Sequence, residues 1–282
     1  MLRLRVLTAA IGVPLILFLF LSGDVAWRRA FLALSAMYSL WEMLALATRG
    51  SANHADATDG RQTDGRAFVR IYVFLTISST ALYLVYSGAD IGLSIPTLVS
   101  STFIASLMFL VLKLEPTVLY PMASGTMISA VWAVMPWFFM LDLLASREHL
   151  SGWLIFLLAV VWMGDTGGYF GGRFFGKHKL APHVSPKKTI EGAVAGLLAS
   201  VVSGLIVANL LEIHDQSTFT LAILSAVLGV VGQMGDLNES LLKRYVGVKD
   251  SGTILPGHGG FLDRVDGVLY AAPVLWLALR IC

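Results

Sequence analysis

Residues 152–171 read GWLIFLLAVVWMGDTGGYFG. A membrane-spanning helix needs roughly 20 predominantly apolar residues to cross about 30 Å of hydrocarbon, and this run has that length, yet it carries Asp165 toward one end. A carboxylate in a membrane helix costs about 2.5–3.5 kcal/mol on insertion scales unless it is paired or bound to a cation. Asp165 is therefore a candidate functional residue. Glycines at 164, 167, 168, 171 and 172 recur at four-residue spacing, the pattern that lets two membrane helices approach backbone to backbone.

Eight further apolar stretches surround this one, at about 6–22, 27–47, 68–87, 91–112, 118–144, 190–211, 218–236 and 267–281. The chain is 56% hydrophobic and only 13% charged, with a mean hydropathy of +0.76, which removes it from the soluble class. The expected fold is an all-α polytopic integral membrane protein of about nine transmembrane helices with a cytoplasmic N-terminus. The first apolar stretch follows Arg3 and Arg5 but lacks a small-residue cleavage site, so it reads as a membrane helix rather than a signal peptide. In a nine-span arrangement sixteen of the twenty Lys and Arg residues fall on the cytoplasmic side and four on the other, as the positive-inside rule requires. Without the loops at 172–189 and 237–266 the ratio is still seven to four.

The formal charge of +2 excludes nucleic acid as a partner, and the single cysteine, Cys282, excludes a disulfide framework and a cysteine-based zinc site. The chain divides into a nearly uncharged part, 1–150, interrupted by a polar cytoplasmic loop at about 48–67, and a part at 151–282 where ionisable residues collect in loops 172–190 and 237–266. In the first part, Glu42 and Asp142 read as satisfied or interfacial carboxylates. No internal repeat of the kind that marks secondary transporters is present, and the two parts differ in polarity, which argues against transport.

In the second part, SPKKT at 185–189 interleaves the hydroxyls of Ser185 and Thr189 with Lys187 and Lys188, a composition suited to a phosphate ester. Glu191 follows as a helix-cap residue. GDLNESLLKR at 235–244 ends an uncharged membrane stretch on Asp236, and Glu239 reads as the i,i+4 partner of Lys243. KDSGTILPGHGGFLDRVDG at 249–267 brings Asp263 and Asp266 onto one helical face. Like charges so placed repel unless a cation lies between them. Paired carboxylates with neighbouring Lys and Arg suit an oxygen-ligated Mg²⁺ held jointly by protein and phosphates.

Three runs, GDTGGYFGGRFFGKHKLAPHVSPKKTIEG, GDLNES and SLLKRYVGVKDSGTILPGHGGFLDRVDG, together resemble the conserved regions of the phosphatidate cytidylyltransferase family, the CDP-diacylglycerol synthases. Asn238 after GDL and the glycine pair of DTGGY are small departures from that pattern. The resemblance implies the reaction CTP plus phosphatidate giving CDP-diacylglycerol and diphosphate. It implies that Asp236, Asp263 and Asp266 hold a Mg²⁺ centre, with a second cation as an open alternative. It also implies that Lys187, Lys188, Arg244, Lys249 and His258 surround the phosphates, with Asp236, Lys249, His258, Asp263 and Asp266 as the catalytic set. Ser185, Thr189 and Asp165 complete the expected substrate contacts. The expected setting is a bacterial inner membrane with the active site facing the cytoplasm, CTP and phosphatidic acid as substrates and a homodimer as the assembly kept in view. A CTP-dependent polyprenol kinase, or a cytidylyltransferase for another lipid phosphate, is the nearest alternative.

Overall fold

The computed structural model describes residues 12, 14–21, 24–53, 71, 73–78, 91–107, 116–146, 151–213, 216–252 and 259–281. In chain order the elements are α1 (Val25–Asn53), α2 (Ile91–Leu107), α3 (Pro116–Ser129), a π-helical turn (Ala130–Val134), α4 (Met135–Ser146), α5 (Ser151–Phe175), β1 (Lys179–Ala181), β2 (Ser185–Thr189), α6 (Ile190–Leu210), α7 (Thr218–Tyr245) and α8 (Leu262–Ile281). Among the described residues five helical segments are long and apolar enough to cross a membrane: Val25–Ala47, Ala123–Leu144, Gly152–Phe175, Ile190–Leu210 and Thr218–Tyr245. The protein is thus a mostly helical integral membrane protein.

Three expectations are modified. The fold is not all-α, because β1 and β2 pair antiparallel within the basic 172–190 loop. Helix α1 runs on to Asn53, into the stretch expected to be loop, whereas residues 54–70 of that loop lie outside the described residues. Helix α7 continues past Asp236 to Tyr245, since LNESLLKRY contains strong helix formers although it is no longer apolar.

The chain forms two compact units, one of Met1–Asp24, Leu143–Leu241 and Asp263–Cys282, the other of Val25–Asp142 and Leu242–Leu262. Each unit thus combines segments distant in sequence: Met1–Asp24 groups with Leu143–Leu241 and Asp263–Cys282, and Leu242–Leu262 with Val25–Asp142.

In the first unit α5 and α6 pack through small residues. A Cβ at Gly167 would collide with Ala199, at Gly171 with Ala195, and at Gly164 with Ser200. The Ser200 hydroxyl donates to the Val160 carbonyl across the same seam at 2.8 Å. The opposite face of α6 exposes Val194, Leu198, Val202, Ile206 and Leu210, one residue per turn. A helix that buries Gly192, Gly196, Ser200 and Gly204 and exposes branched aliphatics is inverted relative to water and matched to lipid. Helix α7 joins this pair through Gln233, whose amide donates to the Ala193 carbonyl. It meets α8 where Gly232 lies against Gly267 and Gly235 against the backbone of Asp266.

In the second unit Leu40, Leu44, Val73, Ile77, Leu98, Ala130, Val134 and Phe138 form a buried core. The backbone of α3 approaches α1 at Gly125, where a Cβ would overlap Ala47 at 2.7 Å.

Candidate active site

The hairpin between α5 and α6 is built by its own capping chemistry. Thr189 adopts an extended backbone and its hydroxyl oxygen accepts the Gly192 N–H at 3.1 Å, which starts α6. Glu191, expected to cap this helix, instead reaches back across the hairpin. It accepts the backbone N–H of Lys177 at 3.0 Å and of His178 at 3.2 Å, and meets the His178 ring at 2.6 Å. These bonds tie the entry of the hairpin to its exit, and β2 then presents Lys187 and Lys188 from a fixed backbone.

Lys188 lies beside α7: its Nζ is 2.7 Å from Asp236 Oδ2, each side chain about a quarter exposed. The Ser240 hydroxyl, one turn further along α7, donates to the other oxygen of Asp236 at 3.3 Å. Asp165 on α5 is within electrostatic reach of Asp236, Lys188 and Arg264. From α8, the buried Asp266 is within reach of Asp236 and Asp165 and shares a hydrogen bond with Glu239. One Asp266 oxygen also accepts the Gly267 N–H at 2.7 Å. The start of α8 is held against α5 by the Trp162 indole, which donates to the Arg264 carbonyl at 3.2 Å. Four elements therefore converge on one group of carboxylates and two cations.

Of the expected site residues, Asp165, Lys188, Asp236 and Asp266 come together in the first unit. Asp263 occupies the first turn of α8, one turn before Asp266. Ser185 and Lys187 lie on β2 with Lys188, and the buried Thr189 serves as the helix cap. Arg244 and Lys249 belong to the second unit, where the Arg244 guanidinium donates to the Val248 carbonyl at 3.3 Å. His258 lies outside the described residues. Sequence reasoning passed over Arg264, although it stands inside the quoted Asp-Arg-Val-Asp. Glu239, read as the i,i+4 partner of Lys243, is fully buried and also bonds to Asp266.

A divalent cation fits this donor chemistry. The ligating atoms available are carboxylate oxygens, which select hard cations, and the carboxylates outnumber the two cationic groups within reach. Among the described residues no group of three or more His, Cys, Asp or Glu side chains is disposed to hold a metal by itself. Mg²⁺ characteristically takes one or two protein carboxylates and completes its shell with other oxygen ligands, a demand that does not require three acidic side chains.

The profile of the cytidylyltransferase family matches residues 3–282; the chain belongs to that family. It is 45% identical over 134 residues to a phosphatidate cytidylyltransferase of Staphylococcus epidermidis, covering 48% of this chain and 51% of that protein. A phosphatidate cytidylyltransferase of Staphylococcus haemolyticus is 43% identical over 135 residues, 48% of this chain and 52% of its own. One from Brucella suis is 50% identical over 124 residues, 44% and 45% of the two chains. The matched part of this chain thus spans about half the length of these curated relatives.

Proposed function

We propose that the protein is a phosphatidate cytidylyltransferase, transferring the cytidylyl group of CTP to phosphatidate and releasing diphosphate. The observation that carries this reading is the Lys188–Asp236 pair set among Asp165, Asp266 and Arg264, within a unit whose helices face outward with aliphatic side chains. A charged, oxygen-rich cluster beside lipid-facing helices suits one substrate that is a polyanion and another that is a lipid.

In the proposed reaction an oxygen of the phosphatidate phosphomonoester attacks the α-phosphorus of CTP, and the bond from that phosphorus to the bridging oxygen of the β-phosphate breaks. A phosphomonoester has its second pKa near 6, so the nucleophile is largely ionised at neutral pH and no general base is required. The demand on the protein is to bring anions together and to neutralise charge on the diphosphate as it leaves. Lys188 and Lys187 on β2 would contact phosphate oxygens, and Arg244, a side chain suited to bidentate contact, is assigned to phosphate by resemblance alone. Lys249 and His258 are assigned to the same task by resemblance, with His258 donating a hydrogen bond to the leaving group.

By resemblance, Asp236, Asp263 and Asp266 are the candidates to hold Mg²⁺, one or two of them at a time with substrate phosphates completing its shell, and the ion would supply charge neutralisation of the triphosphate. The protein's own contribution is orientation. Gly267 N–H fixes one oxygen of Asp266, and Lys188 and Ser240 fix the two oxygens of Asp236. We place the enzyme in a bacterial inner membrane with the β-hairpin on the cytoplasmic side, where CTP is found, and carry a homodimer forward as its assembly. Transfer of label from [α-³²P]CTP into organic-extractable lipid tests the reaction. A CTP-dependent lipid kinase would leave the α-label in CDP and carry only a γ-label into lipid.

A further inference from the structure

Glu42 lies in the middle of α1, only 2% exposed, in a helix whose neighbouring residues are apolar. A buried carboxylate is tolerated only where donors surround it, and the donors here come from far along the chain. Glu42 Oε2 accepts the Ser251 hydroxyl at 3.0 Å and the Leu262 N–H at 2.7 Å, while Oε1 accepts the Phe261 N–H at 3.1 Å. The Tyr38 hydroxyl, one turn earlier on α1, bonds to it as well.

Ser251 and Leu262 flank the glycines at 252, 257, 259 and 260 within the segment quoted from the sequence, and Leu262 is the first residue of α8. One side chain therefore joins the residues on either side of those glycines. It also places a negative charge on the N–H groups that begin a helix, where such a charge is favoured.

The glycines of the segment make room for this carboxylate. A Cβ at Gly252 would run into Glu42 Oε1, and one at Gly260 would meet both Ser251 Oγ and Glu42 Oε2. Gly259 has φ 83°, a backbone conformation open to glycine at little cost. Phe261 is then held from both sides by Trp137, stacked at 6.2 Å, and Tyr38, edge-on at 5.8 Å.

We propose that Glu42 is a positioning residue for the nucleotide end of the reaction: it clamps Ser251 to Phe261 and Leu262 and thereby fixes the backbone two residues from Lys249. Lys249 stands two residues before the clamp and Asp263 one residue after it. The kinetic part of this inference rests on the cytidylyl transfer proposed above; the clamp itself does not.

The test compares full-length wild type with Glu42→Gln, purified in detergent, by amide hydrogen exchange at residues 260–263 and by steady-state kinetics with CTP and phosphatidate. Gln keeps the shape but turns a donor toward a donor, so exchange at Phe261 and Leu262 is expected to accelerate by at least about tenfold and KM for CTP to rise about tenfold. KM for phosphatidate is expected to stay within about twofold. Ser251→Ala, which removes one of the three bonds from the segment, should move both readouts in the same direction by less. A general loss of folded enzyme would lower the apparent kcat and leave both KM values alone.

Unchanged exchange in Glu42→Gln would overturn the clamp. Accelerated exchange with an unchanged KM for CTP would overturn the positioning role. Should Glu42→Gln fail to fold, Gly252→Ala and Gly260→Ala crowd the same carboxylate from the other side, and wild-type exchange and KM in those variants would equally overturn the proposal. If wild type itself transfers no cytidylyl group, the enzymatic reading fails while the exchange data still decide the clamp.

Discussion

Lys188 Nζ and Asp236 Oδ2 stand 2.7 Å apart, joining a residue of the β-hairpin to one on α7. The pair is partly open to solvent, and ion pairs so exposed contribute about 0–1 kcal/mol to stability. Its significance lies instead in where it holds the lysine: beside Asp165, in the group of carboxylates that Asp266 joins.

Lys188→Met is therefore expected to separate stability from activity. Thermal unfolding in detergent should change by no more than about 1 kcal/mol. Loss of a charged hydrogen bond to phosphate, about 1.5–3 kcal/mol, should lower kcat/KM about 10- to 100-fold. Parallel thermal-shift and transfer assays check it.

Asp266→Asn should behave still more asymmetrically. The amide can keep the bond from Gly267 and the contact with Glu239, and one negative charge leaves a crowded carboxylate group, so the melting temperature should hold or rise. Activity should fall about 10²–10³-fold, the usual cost of removing one preorganised electrostatic group. Chelation with EDTA should abolish wild-type transfer, with recovery on adding Mg²⁺.

The seam between α5 and α6 gives a prediction about folding alone. Gly171→Ala gains about 1 kcal/mol in helix propensity, but its methyl collides with that of Ala195, and overpacking costs about 1–3 kcal/mol. The expected net is a loss of stability that Ala195→Gly restores in the double variant, because the methyl group then simply changes sides. Denaturation in mixed micelles reads both, and additive effects of the two substitutions would contradict the seam.

Much of this was legible in the sequence, and the limits have physical causes. The small-residue spacing of α5 announced a close helix contact, because helix approach depends on local side-chain size, but not that α6 makes it. Glu191 was read as the cap of α6 and Thr189 as a substrate contact; that Thr189 caps the helix instead depends on the hairpin folding back, and β1 and β2 are three and five residues long, too short for a period-2 signal. Asp165 and Asp236 stood out because charge in an apolar setting demands a reason, and Asp266 because it shares a helical face with Asp263. Their convergence, like the bond between Glu42 and Ser251 across 209 residues of chain, is tertiary and leaves no local pattern. Glu42 was read as a satisfied carboxylate, which it is; what satisfies it is the glycine-rich segment.

The side of the membrane on which the hairpin lies can be read with one cysteine. Lys179, exposed on β1, replaced as Lys179→Cys in a Cys282→Ser background, should react with a membrane-impermeant maleimide in inside-out vesicles and stay unlabelled in intact spheroplasts. Labelling in spheroplasts would reverse the orientation read from the Lys and Arg distribution.

The central claim is tested most directly by incubating the detergent-purified protein with [α-³²P]CTP, phosphatidate and Mg²⁺ and counting label in the organic phase. The account predicts labelled CDP-diacylglycerol from wild type and almost none from Asp263→Asn or Asp266→Asn. Absence of labelled lipid from folded wild-type protein with phosphatidate, or its appearance only with another lipid phosphate, would contradict the assignment of phosphatidate as the substrate.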